Sequence, residues 1–494
     1  MKHVDPIKNL DAQTLKAAIT TAPTSAAAPA ILITNESQLF ADDHLIAQKA
    51  ALFRRLNRPH CRTEPVLVSD RPWEGCGLVY GSVVEEKNDY RFYYITSFRR
   101  ALNDQEHVKK YGYGKYLICL ATSADGVRFK KSAVPGSIHP KTNVLIDEPI
   151  DDFCVRKDPL ATDPAERYKL LASRGNWWGG LTPAVSADGL AWHWKQAQAV
   201  SFFGDRCSYW FDPIRKKHVA WSRNYQVEGS RVIYHKETAD FSDWSIKPSG
   251  VDVDGSRYRG DLPRRVLAAD RYDHEQTQFY GGYAFWYRSL YFAYIEVYYL
   301  HQQRIDTQLA CSRDGLTWTR LCDRDVFLPN GAHGKFDAYW VVPTFNPPIS
   351  RDGKLLIHYG GRPDPHTQPG FTHIGPGMGG AFGVATLRED GFVSLDATGA
   401  AGVLETKLLT LPPARTCLEL NICPFAEDAT RDPLWGEVEI LAPDGTCLQK
   451  DNLPQPKEPG SVWRSVPLRS PAVDQVRLRL RLKNARLYSF RIRP

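Results

Sequence analysis

One short turn sequence recurs along this chain at long, near-regular intervals. Ser123-Ala-Asp-Gly126 runs into Phe129, Ser186-Ala-Asp-Gly189 into Trp192, and Ser312-Arg-Asp-Gly315 into Trp318. The first two serines are 63 residues apart and the last two 126 apart, with a degenerate copy, Asp240-Phe-Ser-Asp-Trp244, inside the longer interval. Each copy has the chemistry of a tight hairpin turn. The Asp caps its own backbone, the Gly takes positive φ, and the aromatic opens the next strand. One turn type repeated between alternating apolar runs is the pattern of propeller blades.

Strand pairs fit between the turns: Leu78–Val84 with Tyr90–Thr96, Phe153–Lys157 with Tyr168–Ser173, Ser208–Phe211 with His218–Ser222, and Ala338–Thr344 with Lys354–Gly360. The aromatic stretch Phe279–Leu300 supplies a fourth blade. The spacing predicts five blades over roughly 65–135, 136–197, 198–250, 251–325 and 326–392, with Ile31–Thr34 closing the ring so that no edge stays open. Helical periodicity appears only near Asp42–Leu56. After Gly391, short strands separated by Pro, Gly and Asp turns (Leu408–Leu411, Cys417–Ile422, Gly436–Leu441, Val476–Leu482, Ala485–Ile492) read as a β-sandwich. The expected fold is all-β: a flexible lead over 1–35, a five-bladed β-propeller over 36–392 and a C-terminal β-sandwich over 393–494.

Composition excludes several classes. At 494 residues the chain exceeds one ordinary core, and 43% apolar residues give ample material for two. A formal charge of +7 without a dense Lys/Arg run argues against a nucleic-acid partner. No segment reaches the roughly 18 apolar residues of a membrane span. The 10 Cys show no CxxC or Cys/His metal spacing, so neither metal nor cofactor is expected, and Cys119 and Cys311 read as small buried hydrophobes. The start, Met1 to Thr20, lacks a signal-peptide apolar core, which gives a cytoplasmic expectation, with secretion the alternative if a leader was removed. The 13 Trp and 23 Tyr suit sugar-stacking clefts, although β-rich proteins are aromatic-rich in any case.

These features resemble glycoside hydrolase family 32 and its relatives in families 43, 68 and 130. The likeness is greatest to uncharacterised family-32-like glycosyl hydrolases of planctomycetes and verrucomicrobia. It is carried by Gln38-Leu-Phe-Ala-Asp-Asp-His-Leu-Ile46, Glu64-Pro-Val-Leu67, Pro72-Trp-Glu-Gly75, Tyr80-Gly-Ser-Val83, Arg156-Lys-Asp-Pro159 before Glu166-Arg-Tyr-Lys169, Ile305–Gly315 and Gly391-Phe-Val-Ser-Leu395. The resemblance implies a propeller that cleaves glycosidic bonds in a carbohydrate substrate, exo-acting on a furanoside or short oligosaccharide. A non-catalytic carbohydrate-binding propeller is the alternative, and the oligomeric state is left open.

Glycosidic cleavage needs two carboxyl groups across the bond. In a propeller, acids at the starts of the inner strands converge on the axial funnel. The catalytic candidates are Glu74, as nucleophile or base, Asp205, as acid, and Asp158, as transition-state stabiliser. Asp158 lies in Lys157-Asp-Pro159, similar to the family-32 Arg-Asp-Pro motif, with an Asx turn as the structural alternative. Asp205 stands where that family has a Glu before the Cys, and the family's Asn-Asp-Pro-Asn motif is absent. Substrate-binding candidates are Trp73, Asp152, Arg156, Arg206, His274 and Asp337. The rim pair Trp177-Trp178 and His373, in the Gly-rich Pro369–Gly383 loop, complete the set.

Overall fold

The computed structural model describes residues 29–494, except 76, 98–108, 110–115, 175–179, 196–204, 225–229, 246–249, 252–256, 259–262, 367–378, 426–432, 455–461 and 470–472. Regular structure there is almost all strand, with two short 3-10 turns at Pro164–Glu166 and Cys322–Arg324. Five antiparallel sheets follow one another around a ring. Blade 1 is Leu78–Glu85, Tyr90–Ser97, Tyr116–Ser123 and Val144–Asp147; blade 2 is Ile150–Lys157, Tyr168–Arg174, Leu181–Ser186 and His193–Trp194. Blade 3 is Cys207–Asp212, Lys217–Asn224, Val232–Thr238 and Arg264–Leu267. Blade 4 is Thr277–Tyr287, Leu290–Tyr299 and Arg304–Ser312, edged by Thr319–Arg320 and Val326–Leu328. Blade 5 is Trp340–Pro343, Lys354–Arg362 and Ala381–Arg388, and its outer strand is His60–Cys61.

Three sequence expectations change here. His60–Cys61, not Ile31–Thr34, closes the ring, pairing with Thr386 and Ala385 as the outer strand of blade 5. Ile31–Leu32 instead pairs with Leu409–Thr410 in the sandwich. The helical pattern at Asp42–Leu56 is two strands, Ile46–Ala50 against Gly402–Thr406 and Phe53–Leu56 against Val393–Ala397. Partners more than 300 positions away override the local pattern there. Residues 31–56 therefore contribute strands to the sandwich sheets, where a lead and the start of the propeller were expected. Blade limits shift as well, because each Ser-x-Asp-Gly turn follows a blade's third strand and Val144–Asp147 and Arg264–Leu267 complete blades 1 and 3.

The two halves bury their strands differently. In blade 4, Leu290–Tyr299 is buried at nine successive positions, because neighbouring blades cover both of its faces. In the sandwich, Gln475–Lys483 buries only Val476, Leu478, Leu480 and Leu482, so one face meets the core and the other stays polar. Cys119 and Cys311 are buried. The halves are joined by a buried Asp390, which accepts from Tyr287 at 2.9 Å and from Ser489 at 2.7 Å.

The repeated turns act as designed by their chemistry. Ser123 Oγ accepts from Gly126 N at 3.0 Å and Asp125 Oδ1 from Arg128 N at 2.7 Å; the copies at 186 and 312 repeat both bonds. Their glycines have φ of +70°, +76° and +73° and face the preceding blade: Gly126 meets Leu356 of blade 5, Gly189 meets Tyr93 of blade 1, and Gly315 meets Asp212 of blade 3. The turn is thus also a blade-to-blade contact, which explains why one sequence recurs. Gly353, at φ +71° in the blade 5 hairpin, has open space around it. Gly353→Ala should therefore cost only the left-handed backbone strain, about 1–2 kcal/mol, while Gly189→Ala should cost clearly more because its Cβ would overlap the Tyr93 hydroxyl. Urea unfolding of both variants checks this; equal losses would show that the interblade contact is slack.

Candidate functional site at the axial mouth

The inner strands start at Leu78, Ile150, Cys207, Thr277 and Trp340, all at one end of the ring. Side chains at or beside these starts converge. Arg206 is the centre of the cluster and is buried. Its Nη1 donates to Asp152 Oδ2 at 2.8 Å, its Nε to Glu296 Oε2 at 3.0 Å, and its Nη2 to Glu296 Oε1. Its guanidinium lies 4.1 Å from the Tyr80 ring centroid and 4.0 Å from that of Phe345. Gly281, at a bulge in the inner strand of blade 4, makes this possible, because a Cβ there would run into Arg206 Cγ and Glu296 Oε2.

Asp205, the neighbouring residue, forms a second pair. Arg223 donates Nε to its Oδ1 at 2.8 Å and Nη2 to its Oδ2 at 2.7 Å, a bidentate arrangement. Arg223 also packs 4.0 Å from the Tyr280 ring centroid, and the Tyr280 hydroxyl meets that of Tyr80 at 3.2 Å. Tyr298 and Trp340 pack on Tyr280 at centroid distances of 5.9 and 5.3 Å, and His366 stacks on Trp340 at 5.0 Å. Below this cup the axis is filled: Cys154 Sγ lies against the carbonyls of Tyr209 and Phe345, at 3.2 and 3.5 Å.

Electrostatics separate the two acids. Burial pushes the Asp152 carboxyl up to about 7, against the opposing pull of Arg206. For Asp205 burial acts in the same upward direction, but the paired Arg223 outweighs it and holds the carboxyl below its ordinary range. Asp152 is enclosed, while the Asp205 side chain keeps 23% of its exposure.

Of the residues expected from sequence, Asp152, Asp205 and Arg206 meet at this mouth. Arg156 lies further along the Asp152 strand, where its charge acts on Tyr209 and Tyr283. Glu74 and Asp158 do not join them. Glu74 is fully buried on the flank of blade 1, accepting from the amides of Asp70 and Arg71 at 2.8 and 2.9 Å, from Tyr94 at 2.7 Å and from Lys131 at 2.7 Å. It organises a turn around a buried lysine. Asp158 ends the strand that Asp152 begins; its Oδ1 accepts from Leu160 N at 2.9 Å and its Oδ2 faces Lys169 at 3.5 Å. That is the Asx turn, at the other end of the blade.

The remaining expectations also resolve. Trp73 donates to Asn143 at 3.0 Å and packs into blade 1. Asp337 accepts from Tyr359 at 2.9 Å and sits against Gly331 and Gly361, away from the cluster, with its carboxyl raised by burial. His274 is exposed in the 270–276 turn at the edge of blade 4. Trp177, Trp178 and His373 lie outside the described residues. Glu296, Arg223, Arg231 and the Tyr280 ring escaped the sequence reading. One signal was available: Glu296 is the lone charge in the apolar run Leu290–Tyr299, and a buried charge demands a partner.

No family model and no curated protein matches the chain. Among solved structures 189 chains match. An N-acetylgalactosamine deacetylase from F. plautii in complex with blood group B trisaccharide is 14% identical, with 69% of this chain and 96% of that chain covered and a TM-score of 0.42. A glycosyl hydrolase from Bacteroides ovatus is 14% identical, with 72% and 97% covered and a TM-score of 0.42. A β-1,2-mannobiose phosphorylase from Listeria innocua is 12% identical, with 69% and 97% covered and a TM-score of 0.43. At such scores these likenesses decide neither fold nor reaction; both rest on the chain's own geometry.

Two measurements probe the cluster. Arg206→Met should cost about 3–5 kcal/mol in urea unfolding, because it strands two buried carboxyls, and a loss below about 1 kcal/mol would contradict the pairing. The raised Asp152 carboxyl has a definite sign in pH dependence. Between its unfolded value and about 7 the unfolded chain has released a proton that the folded chain keeps. Wild-type stability relative to Asp152→Asn should therefore fall as pH rises from about 4 to about 7 and level off above. Thermal melts of both proteins across that window check it.

Proposed function

We propose that this chain cleaves a glycosidic bond at the axial mouth, using Asp152 and Asp205. The observation that carries the reading is the contrasting setting of two carboxyls at one mouth: Asp152 is enclosed beside Arg206, and Asp205 is held bidentately by Arg223 with one edge exposed. Burial raises the Asp152 carboxyl to about 7, the range in which a general acid works at neutral pH. Asp205, paired with Arg223, is held ionised and keeps a solvent-facing edge, as a base or nucleophile requires. These roles reverse the acid role first expected for Asp205, and Glu74 and Asp158 drop out. A mouth at the end of a filled axis suits a terminal residue, hence exo action on a furanoside or short oligosaccharide.

One observation favours a second reading, carbohydrate binding without cleavage. Every acid of the cluster is already engaged by a guanidinium, and Asp152 and Glu296 are enclosed. An aryl-glycoside panel that includes arabinofuranoside and fructofuranoside donors separates the two. Asp205→Asn and Asp152→Asn should each lower kcat by about 10²–10⁴. Asp158→Asn, which preserves the Asx turn, should leave it within about twofold. Binding of the same sugars without turnover by the wild type would establish the second reading. Full activity in both amide variants would overturn the first.

A further inference from the structure

The chain enters the propeller at Asn57 and leaves it at Phe392, and these two residues are joined. Asn57 N donates to the Phe392 carbonyl at 3.0 Å, and Asn57 Nδ2 donates to Ser394 Oγ at 3.3 Å. Just outside them, Phe53–Leu56 pairs with Val393 to Asp396 at the edge of the six-stranded sandwich sheet. The sandwich is therefore built from the two pieces of chain that flank the ring. Ile33, Phe40 and Leu52 of the early piece share one buried core with Leu395, Leu480 and Phe490 of the late piece. A further tether fixes the early piece to blade 4, where Arg313 donates Nε and Nη2 to Asp42 at 2.9 and 2.8 Å. Arg313 is the second residue of its Ser-x-Asp-Gly turn, and the copies at 123 and 186 carry Ala there.

The seam that closes the ring is short by comparison. Ala381–Arg388 has eight register pairs with Lys354–Arg362 on one side and two, to His60 and Cys61, on the other. Single bonds extend the seam, from Arg62 N to the Val384 carbonyl at 3.0 Å and from Val66 N to that of Phe382 at 2.7 Å. So short a pairing repays little of the chain entropy that ordering it costs. The sandwich lowers that cost. Before it forms, His60 and Thr386 are ends of a loop more than 300 residues long. Once Asn57 is fixed beside Phe392, only a few residues separate each seam strand from an anchored point, and closing the seam orders a short segment.

We propose that the sandwich is the clasp of the ring: its assembly from the two flanking pieces closes the seam against blade 5, and its opening opens the propeller there. The proposal is independent of the carbohydrate reading. Hydrogen exchange on the full chain, read by mass spectrometry of peptides, tests it. In the wild type, peptides from 57–67 and from the sandwich strand Gln475–Lys483 should agree in protection within about tenfold, because one opening exposes both. Leu480→Ala removes a buried side chain from the sandwich core and should speed exchange in both regions together, by at least about tenfold. A matching rise in Tyr168–Arg174 of blade 2 would support the proposal and extend the clasp's hold to the whole ring. The wild-type comparison needs no variant, so it decides the matter if Leu480→Ala does not fold. Wild-type protection that differs between the two regions by more than about tenfold, in either direction, would overturn the proposal. So would a variant in which Gln475–Lys483 loses protection while 57–67 keeps it.

Discussion

The structure turns on one buried guanidinium. Arg206 belongs to blade 3, and it touches Tyr80 of blade 1, Asp152 of blade 2, Glu296 of blade 4 and Phe345 of blade 5. A ring of five sheets has no internal reason to keep its inner strand starts in register. A single planar cation with partners in every sheet supplies one. Taking a guanidinium out of water is costly, and the cost is met only when its donors are used in good geometry. Here the geometry depends on two small features: the bulge at Gly281, which admits the pair, and the Cys207 amide, which supports Asp152 Oδ2 at 3.0 Å.

That arrangement also decides what was legible in the sequence. The Ser-x-Asp-Gly turns were readable because their chemistry is complete within four or five residues. The long sandwich strands were readable for a similar reason: alternation in Gln475–Lys483 reports a face that is half wet. Ile46–Ala50 and Phe53–Leu56 were not, since they are short and are stabilised by strands at the far end of the chain. Ring closure failed for the same reason. His60–Cys61 is two residues long, and only its position against Ala385 and Thr386 makes it a strand.

The site followed the same rule. An acid next to a strand start can cap a turn or face the axis, and composition does not distinguish the two. Glu74 and Asp158 are turn acids, each satisfied by amides a few positions away and by a lysine. Asp152 and Asp205 are held instead by guanidiniums 54 and 18 positions distant. The useful discriminator is an arginine that must itself be buried. Arg206 and Arg223 both sit in or beside apolar strands, and a buried cation implies an acid brought to it by the fold.

Enclosure, set against the guanidinium each acid meets, then accounts for the difference between the two acids. Arg223 engages both oxygens of Asp205, which keeps one edge in water, so the charged form is favoured. Arg206 serves two enclosed carboxyls at once. Burial is the larger influence on Asp152, and it raises that carboxyl against the pull of Arg206. Asp152 carries the upward shift because burial acts on it and the charge of Glu296 reinforces it. The two carboxyls thus differ by enclosure: Asp152 has no surface in water, while Asp205 keeps an edge there beside its own guanidinium.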